Sequence, residues 1–344
     1  MRLGIIGCGG ISERHAKGAA QSDEVDIVAC CDVRLDAAEE WGRSHGCERA
    51  YGEYRTMLRE HDLDGVILAT WPTQHHEHVL GCLEVGARAI LCEKSLALTG
   101  AEALDVWSAA TAEGAVVVEA FMYRHHPAFR LLEETVASGE VGEVDSIRAA
   151  FSLFDPAEAF GDDLGRDWRQ RPDLGGGVPW DLAGYCVDAC NRFAASLPLH
   201  VAALASRSER YGTIDRLFGL IEYANGRVGI IESSKRSDFD HELRIDGSHG
   251  HASIEVAWRI ERDTEVRLAR STGWGVFETR RMPLAATDPY RLQLEHFARV
   301  ARGEIEAMPT LPESVVTAFT LDALLRSAVE REIVPVEVPG VVAA

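Results

Sequence analysis

Leu3-Gly4-Ile5-Ile6-Gly7-Cys8-Gly9-Gly10-Ile11-Ser12 is the stretch on which the fold turns. An apolar run of strand length enters a glycine-rich turn, and Gly10, Ile11 and Ser12 lead into the first helix. Gly7 permits the tight turn, and Gly9 lets backbone N–H groups approach a pyrophosphate at the helix N-terminus. Ser12 stands in the third-glycine position, small enough for close helix–strand packing. Asp32 follows Gly9 by 23 residues and ends a second apolar run. A carboxylate there can hold both ribose hydroxyls of an adenosine and repels a 2′-phosphate. NAD is therefore the expected cofactor. Arg34 is the residue that could neutralise such a phosphate, so NADP is the alternative.

Working outward, Val25–Cys31, Gly65–Thr70, Ala89–Cys92 and Ala115–Glu119 are further apolar runs of strand length. Helical stretches Ala37–Ser44, His75–Val85 and Ala101–Ala112 separate them, with Gly86 and Gly114 where a C-terminal cap wants glycine. Apolar strands that are continuous rather than alternating are buried on both faces, which predicts a parallel sheet under helices. A helix near Ala128–Ser138 leads into a different texture. From Gly142 the strands alternate, as at Ile147, Ala149, Phe151 and Leu153. Asn225-Gly226 joins Leu217–Tyr223 to Val228–Glu232 as a hairpin, and Gly247–Gly250 marks a second turn. Helices are expected at Val178–Phe193, Pro289–Ala301 and Glu313–Glu330. The chain thus reads as an α/β Rossmann domain over 1–122, then an α+β domain over 123–344 with a large, mostly antiparallel open sheet.

Composition removes other classes of function. The 344 residues are 46% hydrophobic and 26% charged, an ordinary globular balance. Asp+Glu number 55 against 35 Lys+Arg, a net charge of −20 that disfavours nucleic acid and anionic membrane surfaces. No apolar run is long enough to span a membrane, and the first residues turn charged too soon for a signal peptide. Eight cysteines without a CxxC pair read as buried free thiols in a reducing cytoplasm, and no zinc site is expected.

Chemistry gathers beyond the glycine turn. Thr70-Trp71-Pro72-Thr73-Gln74-His75-His76 and Leu91-Cys92-Glu93-Lys94-Ser95 each follow a strand end, where ligands of open α/β sheets bind. His75, His76 and His78 lack accompanying carboxylate or cysteine ligands, so no metal is expected. His76 reads as a substrate or cofactor contact and His78 as helix surface. These segments resemble the Gfo/Idh/MocA oxidoreductases, a family that includes glucose–fructose oxidoreductase and inositol dehydrogenase. The resemblance extends over Glu119-Ala120-Phe121-Met122-Tyr123-Arg124, Gly175-Gly176-Gly177, Asp181 to Tyr185, and Tyr290 to Phe297. Ser95 departs from the family's usual Glu-Lys-Pro. Tyr185, where many relatives carry His, is similar to the branch of dihydrodiol and xylose dehydrogenases.

The resemblance implies that Lys94, Asp181 and Tyr185 are catalytic, and that Trp168 and Arg169 approach the nicotinamide or substrate. It also implies that subunits pair through the open sheet, as a homodimer or homotetramer. Arg124, with Arg169, Asp181 and Tyr185, is expected in the substrate site. Thr70, Trp71, Pro72, His76, Glu93 and Lys94 are expected beside the cofactor, as are Gly10 and Ile11 of the glycine turn. Physical chemistry supports the acid–base assignment independently. Asp181 and Tyr185 are four apart and share a helix face. A phenol of ordinary pKa, about 10, is a poor base, and a nearby ammonium from Lys94 would favour phenolate.

The expected reaction is NAD-dependent oxidation of a secondary sugar hydroxyl to a ketone. An amino sugar or aminoglycoside intermediate, feeding a partner aminotransferase, is the expected substrate. Asp155–Asp173 holds six carboxylates (Asp155, Glu158, Asp162, Asp163, Asp167, Asp173) against three arginines (Arg166, Arg169, Arg171), a field that would attract a cation. A catabolic xylose-, glucose- or dihydrodiol-type dehydrogenase is one alternative. A non-catalytic NAD(P)-binding regulator is the other, against which Lys94, Asp181 and Tyr185 argue.

Overall fold

The computed structural model describes residues 1–156, 167–258 and 261–343. They form two compact units, Met1–His125 with Asp288–Ser314 and His126–Thr287 with Val315–Ala344.

The first unit is a six-stranded sheet of order β3-β2-β1-β4-β5-β6, parallel throughout. Its strands are β1 (Arg2–Ile6), β2 (Asp26–Cys31), β3 (Arg49–Tyr51), β4 (Gly65–Leu68), β5 (Ala89–Glu93) and β6 (Val116–Ala120). Helices α1 (Gly10–Ala19), α2 (Leu35–His45), α3 (Tyr54–Glu60), α4 (Pro72–Glu84) and α5 (Gly100–Glu113) connect them. Every residue of β4 and β5 is buried, as their unbroken apolar character requires. Gly114, at φ +59°, closes α5 in the left-handed conformation. The helix at α4 starts three residues before the expected His75, because Pro72 fits the first helical turn without losing a bond. The sequence reading omits β3 and α3; a three-residue edge strand with one buried side chain carries no period.

The expected domains, 1–122 and 123–344, stand beside units that first meet at His125 and His126. Asp288–Ser314 returns to the first unit. The apolar face of helix Pro289–Ala301 explains it: Leu294, Phe297, Ala298 and Val300 join the core around Leu3, Ile5 and Ile67. A Cβ at Gly18 would lie 2.8 Å from the Arg291 backbone nitrogen, so glycine is what allows the close approach there.

The second unit carries a nine-stranded sheet of order β14-β13-β12-β11-β7-β10-β9-β8-β15. After helix α6 (Pro127–Ala137) come β7 (Val144–Ser152), then helix α7 (Gly184–Ala194), β8 (Pro198–Arg207), β9 (Ile214–Tyr223) and β10 (Val228–Ser234). The sheet continues with β11 (Leu243–Gly247), β12 (Gly250–Ile254), β13 (Thr264–Gly273), β14 (Val276–Leu284) and β15 (Val334–Pro335). β7 pairs parallel with β10, while every other neighbouring pair is antiparallel. Gly226, at φ +83°, makes the β9–β10 hairpin turn foreseen at Asn225-Gly226. No residue of β14 is buried, so this edge strand shows no apolar alternation in sequence.

All eight cysteines are free thiols, and Cys8 and Cys47 are only half-buried. Among the described residues, no helix is long and apolar enough to cross a membrane.

Candidate active site

In the first unit, the glycine turn has the shape its sequence demands. Gly7 sits at φ +96°, and a Cβ there would lie 2.7 Å from the Ala69 carbonyl oxygen. A Cβ at Gly9 or Gly10 would meet nothing within 4 Å, so the space above the start of α1 is open. Among the described residues no side chain caps that helix, and its first turn can present N–H groups to a phosphate. Ile11 is half-buried and Ser12 fully buried against the unit. The residues present therefore fit a dinucleotide pyrophosphate. Asp32 organises the same edge. Its Oδ2 accepts the Cys8 N–H at 3.1 Å and its Oδ1 the Arg34 N–H at 3.0 Å. The Arg34 guanidinium lies 3.9 Å from Oδ1 and its side chain is 72% exposed.

The loops after β4 and β5 are tied together by a residue that the sequence reading left without a role. His75 is fully buried, with Nδ1 2.7 Å from the Ser95 carbonyl and Nε2 3.1 Å from the Thr70 carbonyl. Burial pushes its pKa down, so the neutral ring donates through one nitrogen only. His76 faces Asp105 of α5 at 2.8 Å. His78 is not plain helix surface: it bonds the Thr70 hydroxyl at 3.1 Å and meets the Tyr54 ring edge-on at 5.2 Å. Trp71 is exposed beside buried Pro72.

Glu93, at the end of β5, is buried. One carboxylate oxygen lies 2.8 Å from His15 Nε2, and the other accepts the Lys94 N–H at 3.2 Å. The lysine backbone is thus held by a side chain that is itself held. Arg124 is the residue expected in substrate contact. Its side chain is 1% exposed and pairs with Glu313 at 3.4 Å, a tie inside the first unit.

In the second unit, the glycine run proves structural. A Cβ at Gly176 would lie 2.5 Å from the Trp168 carbonyl and 2.7 Å from those of Arg169 and Arg171. Only bare backbone can pass beneath that turn, and the N–H groups of Gly176 and Gly177 hold it by donating to Arg171 and Arg169. Arg169 lies over the Trp168 ring at 4.9 Å and its Nε bonds both oxygens of Asp181, at 3.2 and 3.1 Å.

Asp181 belongs to a π-helical turn, Pro179–Ala183, that runs directly into α7. Such turns recur at functional sites. Asp181 and Tyr185 are both buried. The Tyr185 ring is fixed edge-on to Phe151 at 5.3 Å and tilted against Trp258 at 6.0 Å. The sequence reading missed Lys235, whose Nζ lies 3.8 Å from Asp181. A signal for it existed. Gly229, Ile231 and Ser233 are alternate buried positions of β10, where Ser234 is buried as well, and period two places 235 on the face of the first three. α7 runs along that face, with Cys190 against Gly229 and Cys186 Sγ 3.8 Å from Ser233 Oγ.

The fold and the dinucleotide-shaped turn of the first unit define a dinucleotide-dependent oxidoreductase. Two family models match: the GFO/IDH/MocA oxidoreductase family with NAD-binding Rossmann fold over residues 1–121, and the GFO/IDH/MocA C-terminal domain over 129–253. The chain belongs to the GFO/IDH/MocA family, and its cofactor is NAD or NADP. It is 32% identical over 330 residues to D-xylose 1-dehydrogenase (NADP(+)) 2 of Haloferax volcanii, covering 95% of this chain and 97% of that one. It is 30% identical over 261 residues to trans-1,2-dihydrobenzene-1,2-diol dehydrogenase of Mus musculus, covering 75% of each. Among solved structures, levoglucosan dehydrogenase in complex with NADH and L-sorbose superposes with a TM-score of 0.86 at 22% identity, covering 98% of this chain and 99% of that one. KijD10, a 3-ketoreductase from Actinomadura kijaniata in complex with NADP and TDP-benzene, gives 0.84 at 22% identity, covering 95% and 97%. These two share the fold.

Proposed function

We propose that this oxidoreductase converts a secondary hydroxyl of a sugar to a ketone, with Tyr185 and Lys94 as the acid–base pair. The observation that carries the reading is the Glu93–Lys94 loop, where a buried His15–Glu93 contact fixes the lysine backbone beside the glycine turn. When bound, the nicotinamide supplies the hydride acceptor. Tyr185 takes the hydroxyl proton, and the Lys94 ammonium stabilises the alkoxide that forms. Asp181 orients the substrate, and Asp32 holds the adenosine ribose. Trp168 and Arg169 line the reacting end, with Thr70, Trp71, Pro72 and His76 beside the cofactor. A regulator that only senses NAD(P) needs none of the acid–base groups.

The finer reading is an amino sugar or aminoglycoside intermediate whose ketone serves a partner aminotransferase, in a reducing cytoplasm. The net charge of −20 supports it. Of the acidic segment, Glu158, Asp162, Asp163 and Arg166 lie outside the described residues. Asp167 faces Arg169, Asp173 faces Arg171, and Asp155 accepts from Gln170. Long-range attraction therefore falls to the whole protein field rather than to these paired groups. The names of the xylose and dihydrodiol relatives support the catabolic alternative. Pairing of two copies through the open sheet is supported by Leu204, Phe218, Leu220 and Ile333, exposed around a groove of about 490 Å³, and light scattering reads it directly.

The test is reduction of NAD and NADP by a panel of neutral and amino sugars, read from the absorbance of the reduced nicotinamide. Turnover of a sugar is expected, with a preference for the cationic one that shrinks as salt rises. Cofactor binding without turnover of any sugar overturns the enzyme reading, and equal rates at low salt overturn the amino-sugar reading.

A further inference from the structure

Lys235 is a buried charge to which the proposed reaction gives no task. It continues the inward phase of β10 and its side chain is 2% exposed. The backbone is fastened on both sides: the Lys235 N–H donates to Asp215 O at 2.9 Å, and its carbonyl accepts from the Asp155 N–H at 2.9 Å. The ammonium, however, has three protons to place. Among the described residues its one acceptor in range is the Arg169 carbonyl, at 3.4 Å. The Asp181 carboxylate, at 3.8 Å, is close enough to attract it and too far to bond it. A buried ammonium with unused protons is costly, and the cost falls when a ligand oxygen supplies the missing acceptor.

We infer that a substrate hydroxyl completes this site, accepting from Lys235 Nζ and donating to Asp181, so that Lys235 selects sugars with a hydroxyl next to the oxidised carbon. This rests on the proposed sugar-oxidising role of Tyr185. Asp181 and Tyr185 lie one helical turn apart on one face, a spacing that lets converging side chains reach oxygens on neighbouring carbons. The donor and acceptor inventory does the selecting. A hydroxyl both accepts and donates, so it satisfies an ammonium and a carboxylate together. A carbonyl at that carbon accepts from Lys235 but has no proton for Asp181. An ammonium repels Lys235, and a deoxy carbon leaves the buried lysine with unused protons. An amino group on the substrate must therefore lie elsewhere on the molecule.

Lys235 is a specificity residue, and the test needs no turnover. Sugar binding to the enzyme–NADH complex is measured by calorimetry for D-glucose, 2-deoxy-D-glucose and D-glucosamine, which differ only at C2, the neighbour of both C1 and C3. The wild-type protein should prefer glucose over both analogues by about 10-fold or more, the range of a lost bond at a buried polar group. Lys235→Met should bring that ratio close to one, and Lys235→Arg should restore part of it. Should Lys235→Met fail to fold, as its thermal transition would show, Lys235→Gln carries the same comparison. Equal wild-type affinity for the three sugars, or no binding of glucose, overturns the inference. So does a variant that weakens all three alike and keeps the ratio, since that marks a purely structural lysine. Discrimination that depends on Lys235 in a protein that transfers no hydride keeps the Lys235–Asp181 hydroxyl site but removes the dehydrogenase reading, and with it the placing of that hydroxyl next to an oxidised carbon.

Discussion

The two units hold their candidate residues differently. In the first, each functional side chain sits at a strand end within a few residues of its own motif. Glu93 grips the very next backbone nitrogen and Asp32 that of Arg34, two residues on, while the parallel strand order brings His15 and Cys8 to the same carboxylates. In the second, the half-site is assembled across the sheet. Asp181 from the π turn meets Arg169, 12 residues earlier in the chain, and Lys235 from the far end of β10. A parallel sheet places all its strand ends on one edge, so local sequence is enough to position a ligand there. An antiparallel face gathers residues only through register. Motif carries the first half and topology carries the second.

One substitution in each half tests that contrast at its strongest. Lys94→Ala and Tyr185→Phe should each lower kcat by about 10²–10⁴, the range of a lost general acid–base group. Dinucleotide affinity should change far less in both, because neither residue is assigned to the adenosine or pyrophosphate. Steady-state kinetics with calorimetric titration of NAD checks the pair. Near-wild-type turnover in Tyr185→Phe would move proton transfer to the first half alone.

How much was legible follows the same division. The glycine turn, Asp32 and the Glu93-Lys94 loop stand where sequence places them, since apolar period and glycine position are local properties. So does the β9–β10 hairpin, written in Asn225-Gly226. Lys235 was not read, although its alternation with Gly229, Ile231 and Ser233 was present, because a lysine after a strand usually marks solvent. Arg124 shows what sequence leaves unread from another side. It lies inside a stretch resembling the family's motif, yet its partner Glu313 is 189 residues away and nothing local announces that pairing. The return of helix Pro289–Ala301 to the first unit was hidden likewise, its apolar face being visible but not its destination.

The second unit also carries a titration that sharpens the comparison through stability. His126 precedes α6, and its Nδ1 accepts the Ala128 N–H at 3.1 Å, capping the helix. Burial lowers its pKa from 6.5 to about 4. A protonated ring loses the acceptor lone pair and sets a positive charge at a helix N-terminus, both unfavourable. The depressed folded pKa means that the unfolded chain binds more protons between these values. The contribution is present above pH 6.5 and is lost as pH falls toward 4, up to about 3 kcal/mol at 1.4 kcal/mol per unit. Urea unfolding across that window should show stability falling with pH in the wild type. His126→Asn, which keeps a capping acceptor without titrating, should flatten the slope. An unchanged slope would assign the acid sensitivity to other groups, such as buried His75 of the first unit.

The smallest effect concerns cofactor choice at the first unit's edge. Both Asp32 oxygens are engaged by backbone N–H groups, so the carboxylate is held in place before any ribose arrives. A fixed negative charge repels a 2′-phosphate more effectively than a mobile one. Arg34 opposes it from 3.9 Å, but a side chain 72% exposed is screened by water and salt and pays rotamer entropy to clamp a phosphate. Asp32 should therefore win, with NAD bound more tightly than NADP by about tenfold or less, the range of 1 to 1.4 kcal/mol. Asp32→Ser should narrow that gap chiefly by admitting NADP. Arg34→Ala should weaken NADP by a few-fold and leave NAD unchanged. Calorimetric titration of both nucleotides at low and moderate salt separates the two residues, because the arginine contribution fades with screening. Wild-type protein that binds NADP tenfold better would hand control of the site to Arg34 and reverse the reading of Asp32.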